Sequence, residues 1–286
     1  MDTHSFEIVI PAHNEEANIG GVINEIRAVM GAGCPVIVID DASADRTGEI
    51  AAASGARVIR HPYRMGNGAS VKTGLRNAAA DMVVIMDADG QHQPCNIPLL
   101  LKQMENFDMA IAARDFRSLS PRTFANIVYN SFAGYVTRFK IKDLTCGFRI
   151  VKRKLALKFL YLLPNGFSSP STLTLAFLKA GRSITYVPVS SVRRAGGKSK
   201  INIIGDGARF FVLIIRIATF FSPLRVFVPV SLLFFLSGLG YYLHTFIHGH
   251  RFTNMSALLL TASIIIFMLG LVSEQIAQLR MDRTEG

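Results

Sequence analysis

The sequence predicts an α/β protein built on a mostly parallel sheet, continued by an interfacial amphipathic segment and two C-terminal transmembrane helices. Two observations carry this prediction. In the first half, short Val- and Ile-rich runs alternate with amphipathic stretches, and near the end two uncharged apolar stretches flank a short polar loop. Strands that are apolar throughout and alternate with helices make a sheet covered on both faces.

The elements follow in order. FEIVIP precedes NIGGVINEIRAVM, PVIVID precedes RTGEIAAAS, ARVIR precedes ASVKTGLRNAAA, DMVVIMD precedes IPLLLKQME, and DMAIAA closes the series. Ligands of such sheets bind beyond the carboxyl ends of the strands. Three of those ends are polar: Pro11-Ala12-His13-Asn14-Glu15-Glu16, Asp40-Asp41-Ala42-Ser43-Ala44-Asp45, and Asp87-Ala88-Asp89-Gly90-Gln91-His92. They are expected to converge. Asp87 and Asp89, separated by one small residue, can face a single oxygen-seeking cation, and Gln91 adds a neutral oxygen. A divalent ion held there would in turn hold a diphosphate.

Two other phosphate motifs fail on their glycines. Gly66-Asn67-Gly68 lacks the third glycine of a dinucleotide turn, since position 71 is Val, and Gly197-Lys198-Ser199 lacks the first glycine of a P-loop, since position 192 is Val.

The 286 residues are 50% hydrophobic and carry a net charge of +11, with a mean hydropathy of +0.33. That composition excludes a disordered chain and disfavours a purely soluble one. Residues 1–113 hold 8 Lys and Arg against 14 Asp and Glu, residues 114–222 hold 19 against 3, and the remainder 4 against 3. No carboxylate lies between Asp143 and Asp206. A field of one sign over so long a stretch suits a polyanion or an anionic membrane surface. The charge density is too low for a nucleic-acid tail, so no nucleic-acid partner is expected. Cys34, Cys95 and Cys146 are odd in number and widely spaced, which fits a reducing compartment and neither a disulfide framework nor a zinc cluster.

Val226 to Leu243 and Ala257 to Val272 are uncharged, and the second extends to Leu279 with a single Glu. Each approaches the ~20 residues needed to cross a bilayer. Arg251 is alone in the loop, whereas Arg216, Arg225, Arg280 and Arg283 flank the outer ends, so both termini are expected in the cytoplasm. The start, MDTHSFEIVIPAH, does not read as a signal peptide. Ile201 to Ser222 mixes Phe and Ile with Asp206, Arg209 and Arg216 and reads as a helix in the interface. The expected layout is a catalytic domain over 1–200, an interfacial segment over 201–222, and a transmembrane hairpin with its tail over 223–286.

PAHNEE, DDASADRT, GNGASVKTGL, DADGQHQP and DLTCGFRIVKR, in that order and spacing, resemble family-2 glycosyltransferases of the GT-A fold. The likeness is greatest to polyprenyl-phosphate sugar transferases of the dolichyl-phosphate mannose synthase and undecaprenyl-phosphate glucosyltransferase type, and it runs from about residue 6 to residue 205. The resemblance implies a nucleotide-sugar-binding domain in which Pro11, His13 and Glu15 border the base and ribose beside Ile39 and Asp41. Asp87, Ala88 and Asp89 would hold the diphosphate, with Asp87, Asp89 and Gln91 on Mg²⁺ or Mn²⁺. Arg114 would lie near the transferred sugar and Arg122 with Asn126 at the acceptor phosphate, so that Asp89, Arg114, Arg122 and Asn126 form the implied catalytic set. Arg194 and Lys200 match a spacing that closes over the donor.

Two departures narrow the likeness. Gly166-Phe167 continues as Ser168-Ser169-Pro170-Ser171 where many relatives carry an acid, and the absence of Trp excludes the processive polysaccharide synthases. The implied partners are a nucleotide sugar of the UDP-glucose or GDP-mannose type, undecaprenyl or dolichyl phosphate, and membrane lipids; association into a homo-oligomer is left open. A lipid phosphate is already anionic at neutral pH, so its transferase needs cations rather than a general base, and the basic second half fits that need. The alternatives are a transferase to a neutral membrane lipid and a non-catalytic membrane scaffold.

Overall fold

The computed structural model describes residues 5–114, 127, 129–131, 133–135, 137–166, 168–189, 219 and 222–282. The chain divides into two compact units, Met1–Gly134 with Phe139–Asp206, and Tyr135–Arg138 with Gly207–Gly286.

The first unit is built on seven strands: β1 (Phe6–Ala12), β2 (Val36–Asp40), β3 (Arg57–Arg60), β4 (Met82–Ile85), β5 (Met109–Arg114), β6 (Arg149–Lys152) and β7 (Ile184–Val189). Their order across the sheet is β3-β2-β1-β4-β6-β5-β7. β1, β2, β3 and β4 pair in parallel, as do β5 and β7, whereas β6 runs antiparallel between β4 and β5. The sheet is mostly parallel, as the alternation predicted. β6 and β7 were not anticipated: RIVK is short and charged at both ends, and ITYVPV is half exposed, so neither has the continuous apolar run that marks β2.

Helices cover the sheet through small or branched residues at helical spacing. α1 (Ile19–Met30) buries Ile19, Val22, Ile23 and Ile26 on one stripe. After the short α2 (Thr47–Ala53), α3 (Asn67–Asn77) turns Gly68, Ala69, Ser70, Val71, Gly74 and Leu75 inward. A Cβ at Gly74 would overlap Val9 of β1, so glycine lets this helix lie directly on the central strand. Gly68 likewise abuts the carbonyls of Pro164, Asn165 and Gly166, where Lys72 Nζ donates to the Leu163 carbonyl over 3.0 Å. The domain is completed by α4 (Ile97–Gln103), α5 (Arg153–Lys158) and α6 (Ser169–Lys179).

In the second unit, α7 (Leu224–Gly249) and α8 (Asn254–Asp282) form an antiparallel hairpin around a loop at 250–253. Both outrun the stretches expected from the sequence, because flanking polar residues continue each helix past the apolar core. Each contains a 26-residue candidate membrane span, and the apolar 18-residue windows within them have mean hydropathies of 1.9 and 2.5. At 1.5 Å per residue such helices exceed the ~30 Å hydrocarbon thickness. Their contact uses small residues: Ser231 Oγ donates to the Ser263 carbonyl over 2.9 Å, Gly238 meets Leu259 and Leu260, and Gly270 meets Phe227. Glu274 Oε2 of α8 accepts the Leu224 N–H that opens α7, at 3.2 Å. Arg225 and Tyr135 exchange two bonds, Arg225 Nη1 to the Tyr135 carbonyl at 2.7 Å and Tyr135 Oη to the Arg225 carbonyl at 3.1 Å.

Candidate active site

The chain leaves β1 toward β2 and β3 on one side and returns to β4 on the other, so the space beyond the ends of β1 and β4 is the sheet's switch point. A cleft of about 270 Å³ opens there. β1 supplies Pro11 and the loop after it His13 and Glu15, the loop after β2 supplies Asp41, and the segment after β4 supplies Asp87, Ala88 and Asp89. The three polar strand ends do converge.

The loops after β1 and β2 are laced together. Ala12 pairs with Asp40 in the register, and beyond it Asn14 N–H donates to Ser43 Oγ while Ala44 N–H donates to Asn14 Oδ1. Glu15 N–H reaches Thr47 Oγ1 at 2.8 Å, and Arg46 N–H reaches Glu16 Oε2 at 3.1 Å. Asn14 and Ala42 both hold positive φ, 55° in each case. His13 Nδ1 donates to the Asp41 carbonyl over 2.9 Å, which fixes its ring at the cleft wall.

Asp41 is the centre of this wall. Its side chain is 5% exposed and accepts from His61 Nδ1, Met65 N–H and Gly66 N–H, each at 2.8 Å. Burial alone would push its carboxyl up, but the bonds from His61, Met65 and Gly66 together with the His61 charge hold it below the ordinary carboxylate value. His61 Nε2 lies 2.9 Å from Thr73 Oγ1, tying the pair to α3. Gly66, with φ of 99°, supplies the turn that brings these two N–H groups together.

At the other wall, Asp87 and Asp89 line the cleft with Ala88 between them. Asp89 Oδ1 accepts the Gln91 N–H at 3.1 Å, which steadies the loop. The Asp87 carboxylate packs on Gly147, where any Cβ would collide with its oxygens. Two carboxylates on one short segment, with oxygen donors only, fit a hard divalent cation. Among the described residues no group of three or more His, Cys, Asp and Glu could hold a metal by protein ligands alone.

Ile39 is fully buried in the sheet, paired with Pro11 and Ile59, and does not line the cleft. Gln91 contributes its backbone to the loop, and its side chain is not part of the lining. The backbone of Arg114 ends β5, while its side chain, Arg122, Asn126, Arg194 and Lys200 lie outside the described residues. Arg64, Asn67 and Ser70 line the cleft without having been singled out. Their placement at the start of α3 follows from the Gly66 turn, and a spacing tested only against dinucleotide motifs does not show it.

A mostly parallel sheet whose switch point gathers two carboxylates after one strand and a His–Asp wall after the next two defines a GT-A-like α/β domain. The chain belongs to glycosyl transferase family 2, whose pattern matches residues 7–160, and it is a glycosyltransferase. Residues 222–279 match the GtrB C-terminal hairpin. The chain is 30% identical over 210 residues to a dolichol-phosphate mannosyltransferase of Pyrococcus furiosus, covering 68% of this chain and 58% of that protein. It is 27% identical over 218 residues to an undecaprenyl-phosphate mannosyltransferase of Micrococcus luteus, covering 69% and 88%. Glucosyl-3-phosphoglycerate synthase of Mycobacterium tuberculosis, solved with Mn²⁺, UDP and phosphoglyceric acid, superposes with a TM-score of 0.62 at 23% identity over 76% of this chain and 78% of that one, a likeness of fold.

Proposed function

We propose that this glycosyltransferase moves a sugar from a nucleotide sugar, of the UDP-glucose or GDP-mannose type, to a polyprenyl phosphate. The observation that carries the reading is the presence in one chain of the Asp87–Asp89 cleft and of two helices long and apolar enough to cross a membrane. The named activities of the Pyrococcus and Micrococcus relatives, both lipid-phosphate mannosyltransferases, support it.

In this reading His13 and Asp41 form the wall against the nucleoside, and Asp87 and Asp89 hold the diphosphate end through Mg²⁺ or Mn²⁺. Held by these two carboxylates, a divalent cation would offset the charge that builds on the leaving diphosphate. The acceptor phosphate oxygen attacks the anomeric carbon from the face opposite the diphosphate. A carbon–oxygen bond forms to the lipid phosphate as the bond to the diphosphate breaks, the electron pair leaves with the diphosphate, and configuration inverts. No proton has to be removed, so no general base is required. Arg114, Arg122 and Asn126 are assigned to the acceptor and sugar, and Arg194 and Lys200 to closure over the donor. The division into a catalytic part (1–200), an interfacial segment (201–222) and a hairpin with its tail (223–286) belongs to the same proposal, with both termini cytoplasmic.

The test is transfer from radiolabelled nucleotide sugars by the full chain in detergent, offered polyprenyl phosphate, the free polyprenol and diacylglycerol. Label on the phosphorylated acceptor alone is expected. Label on either neutral lipid, with none on the phosphate, overturns the reading.

A further inference from the structure

Arg149 lies in the β6 register opposite Ile85, the last residue of β4, two positions before Asp87. It is the largest fully buried side chain among the described residues, 1% exposed. Nη1 donates to the Pro170 carbonyl at 2.7 Å and to Thr174 Oγ1 at 2.9 Å, and Nη2 donates to the Cys146 carbonyl. Nε has no hydrogen-bond partner, and no salt bridge reaches the group among the described residues.

A guanidinium buried on neutral acceptors alone is costly, because dipoles replace only part of its hydration. Burial weakens its hold on the proton, and Cys146, Tyr186, Asp143 and Asp87, in that order, act in the opposite sense. Asp143 is itself buried and already bonded by Thr145 N–H. Asp87 lines two spaces at once: the donor cleft, and a small inner pocket of about 10 Å³ whose walls include Arg149, Gly147 and Asn67. Arg149 lines only the inner one. The bare Gly147 leaves the Asp87 carboxylate lying against the backbone next to the Cys146 carbonyl that Arg149 grips.

We propose that Arg149 is a positioning residue for the diphosphate end of the cleft, an internal cation that holds the Asp87 carboxylate in place across the inner pocket. The proposal rests on the reading of Asp87 given above. It makes Asp87 a bridge between a permanent charge inside the protein and the changing charge of the donor. By the same bonds Arg149 joins the segment at 146–147 to the first two turns of α6.

The test is a double-mutant cycle on the full chain in detergent with a chelator present, read as the midpoint of thermal unfolding. Neutralising one acid of a cluster ordinarily relieves repulsion and raises the midpoint. Here Asp87→Asn is expected to lower it by several degrees, because the buried Arg149 charge loses the carboxylate across the inner pocket, whereas Asp89→Asn leaves it level or higher. In an Arg149→Met background the penalty of Asp87→Asn is expected to vanish. If Arg149→Met does not fold, the contrast between Asp87→Asn and Asp89→Asn decides. Equal effects of those two, or strict additivity in the cycle, overturn the proposal. Arg149→Lys, which keeps the charge but not the fork, is expected to weaken Mn²⁺ binding in the presence of uridine or guanosine diphosphate by about tenfold in calorimetry. Unchanged Mn²⁺ affinity in a folded Arg149→Lys reduces Arg149 to a structural clamp. None of these measurements uses the sugar or the lipid acceptor, so their failure is distinct from failure of the transfer assay.

Discussion

His61 donates from Nδ1 to Asp41 across 2.8 Å, joining the residue after β3 to the residue after β2 with both side chains buried. The bond turns a loop wall into a fixed surface, because Asp41 also takes the N–H groups of Met65 and Gly66. Asp41→Ala would strand all three donors and is expected to cost about 2–3 kcal/mol. Urea unfolding of the wild-type and variant chains measures it.

The same carboxylate sets an acid dependence. Its folded value lies below the ordinary one, so its contribution to stability is fully present above about pH 4 and is lost as the pH falls through that lower folded value. Unfolding midpoints measured downward from pH 5 should fall more steeply for wild type than for Asp41→Asn.

Ala42 sits at φ of 55°, where a Cβ is strained. Ala42→Gly relieves the strain and is expected to stabilise the fold by about 1 kcal/mol, because the relief exceeds the added freedom of the unfolded chain. A lower midpoint for Ala42→Gly would contradict this.

Gly74→Ala drives a methyl into Val9 and is expected to cost about 1–3 kcal/mol. Val9→Ala in the same chain should recover part of that loss, since it removes the atoms that collide. Thermal unfolding of the two single variants and the double variant gives the coupling directly.

Much of this architecture was legible because β1, β2 and β4 are runs of β-branched residues and the polar groups follow directly at their ends. Asp87, Asp89, Asp41 and His13 could be picked out as a group for that reason. β6 was hidden by its charged ends, and with it Arg149: an arginine in a short strand reads as solvated, and only the antiparallel insertion between β4 and β5 buries it. His61 was hidden differently, since its partner lies twenty positions away and no local spacing joins them. Ile39 shows the converse, a residue correctly placed on β2 whose side chain belongs to the core.

Asp89→Ala is expected to lower transfer by about a hundredfold or more while leaving the unfolding midpoint within a degree or two, because it removes charge stabilisation at the leaving diphosphate. Full activity of Asp89→Ala in the presence of chelator would remove the metal from the mechanism.

The topology is tested by single cysteines at Asn254 and Gly286 in sealed vesicles, with the exposed Cys95 first replaced by Ser; Cys34 and Cys146 are buried. A membrane-impermeant reagent is expected to reach the two sites from opposite sides. Labelling of both from one side would mean that the hairpin does not span.

The bond from Leu224 N–H to Glu274 has a mechanical consequence. It plugs the open end of one helix with a carboxylate carried by the other, so the pair cannot slide lengthwise without uncovering both groups. In a bilayer thinner than its helices such a hairpin has to lean as a single lever rather than telescope. Lipid thickness would then be felt at the Leu224 end as a change of slope, not of depth.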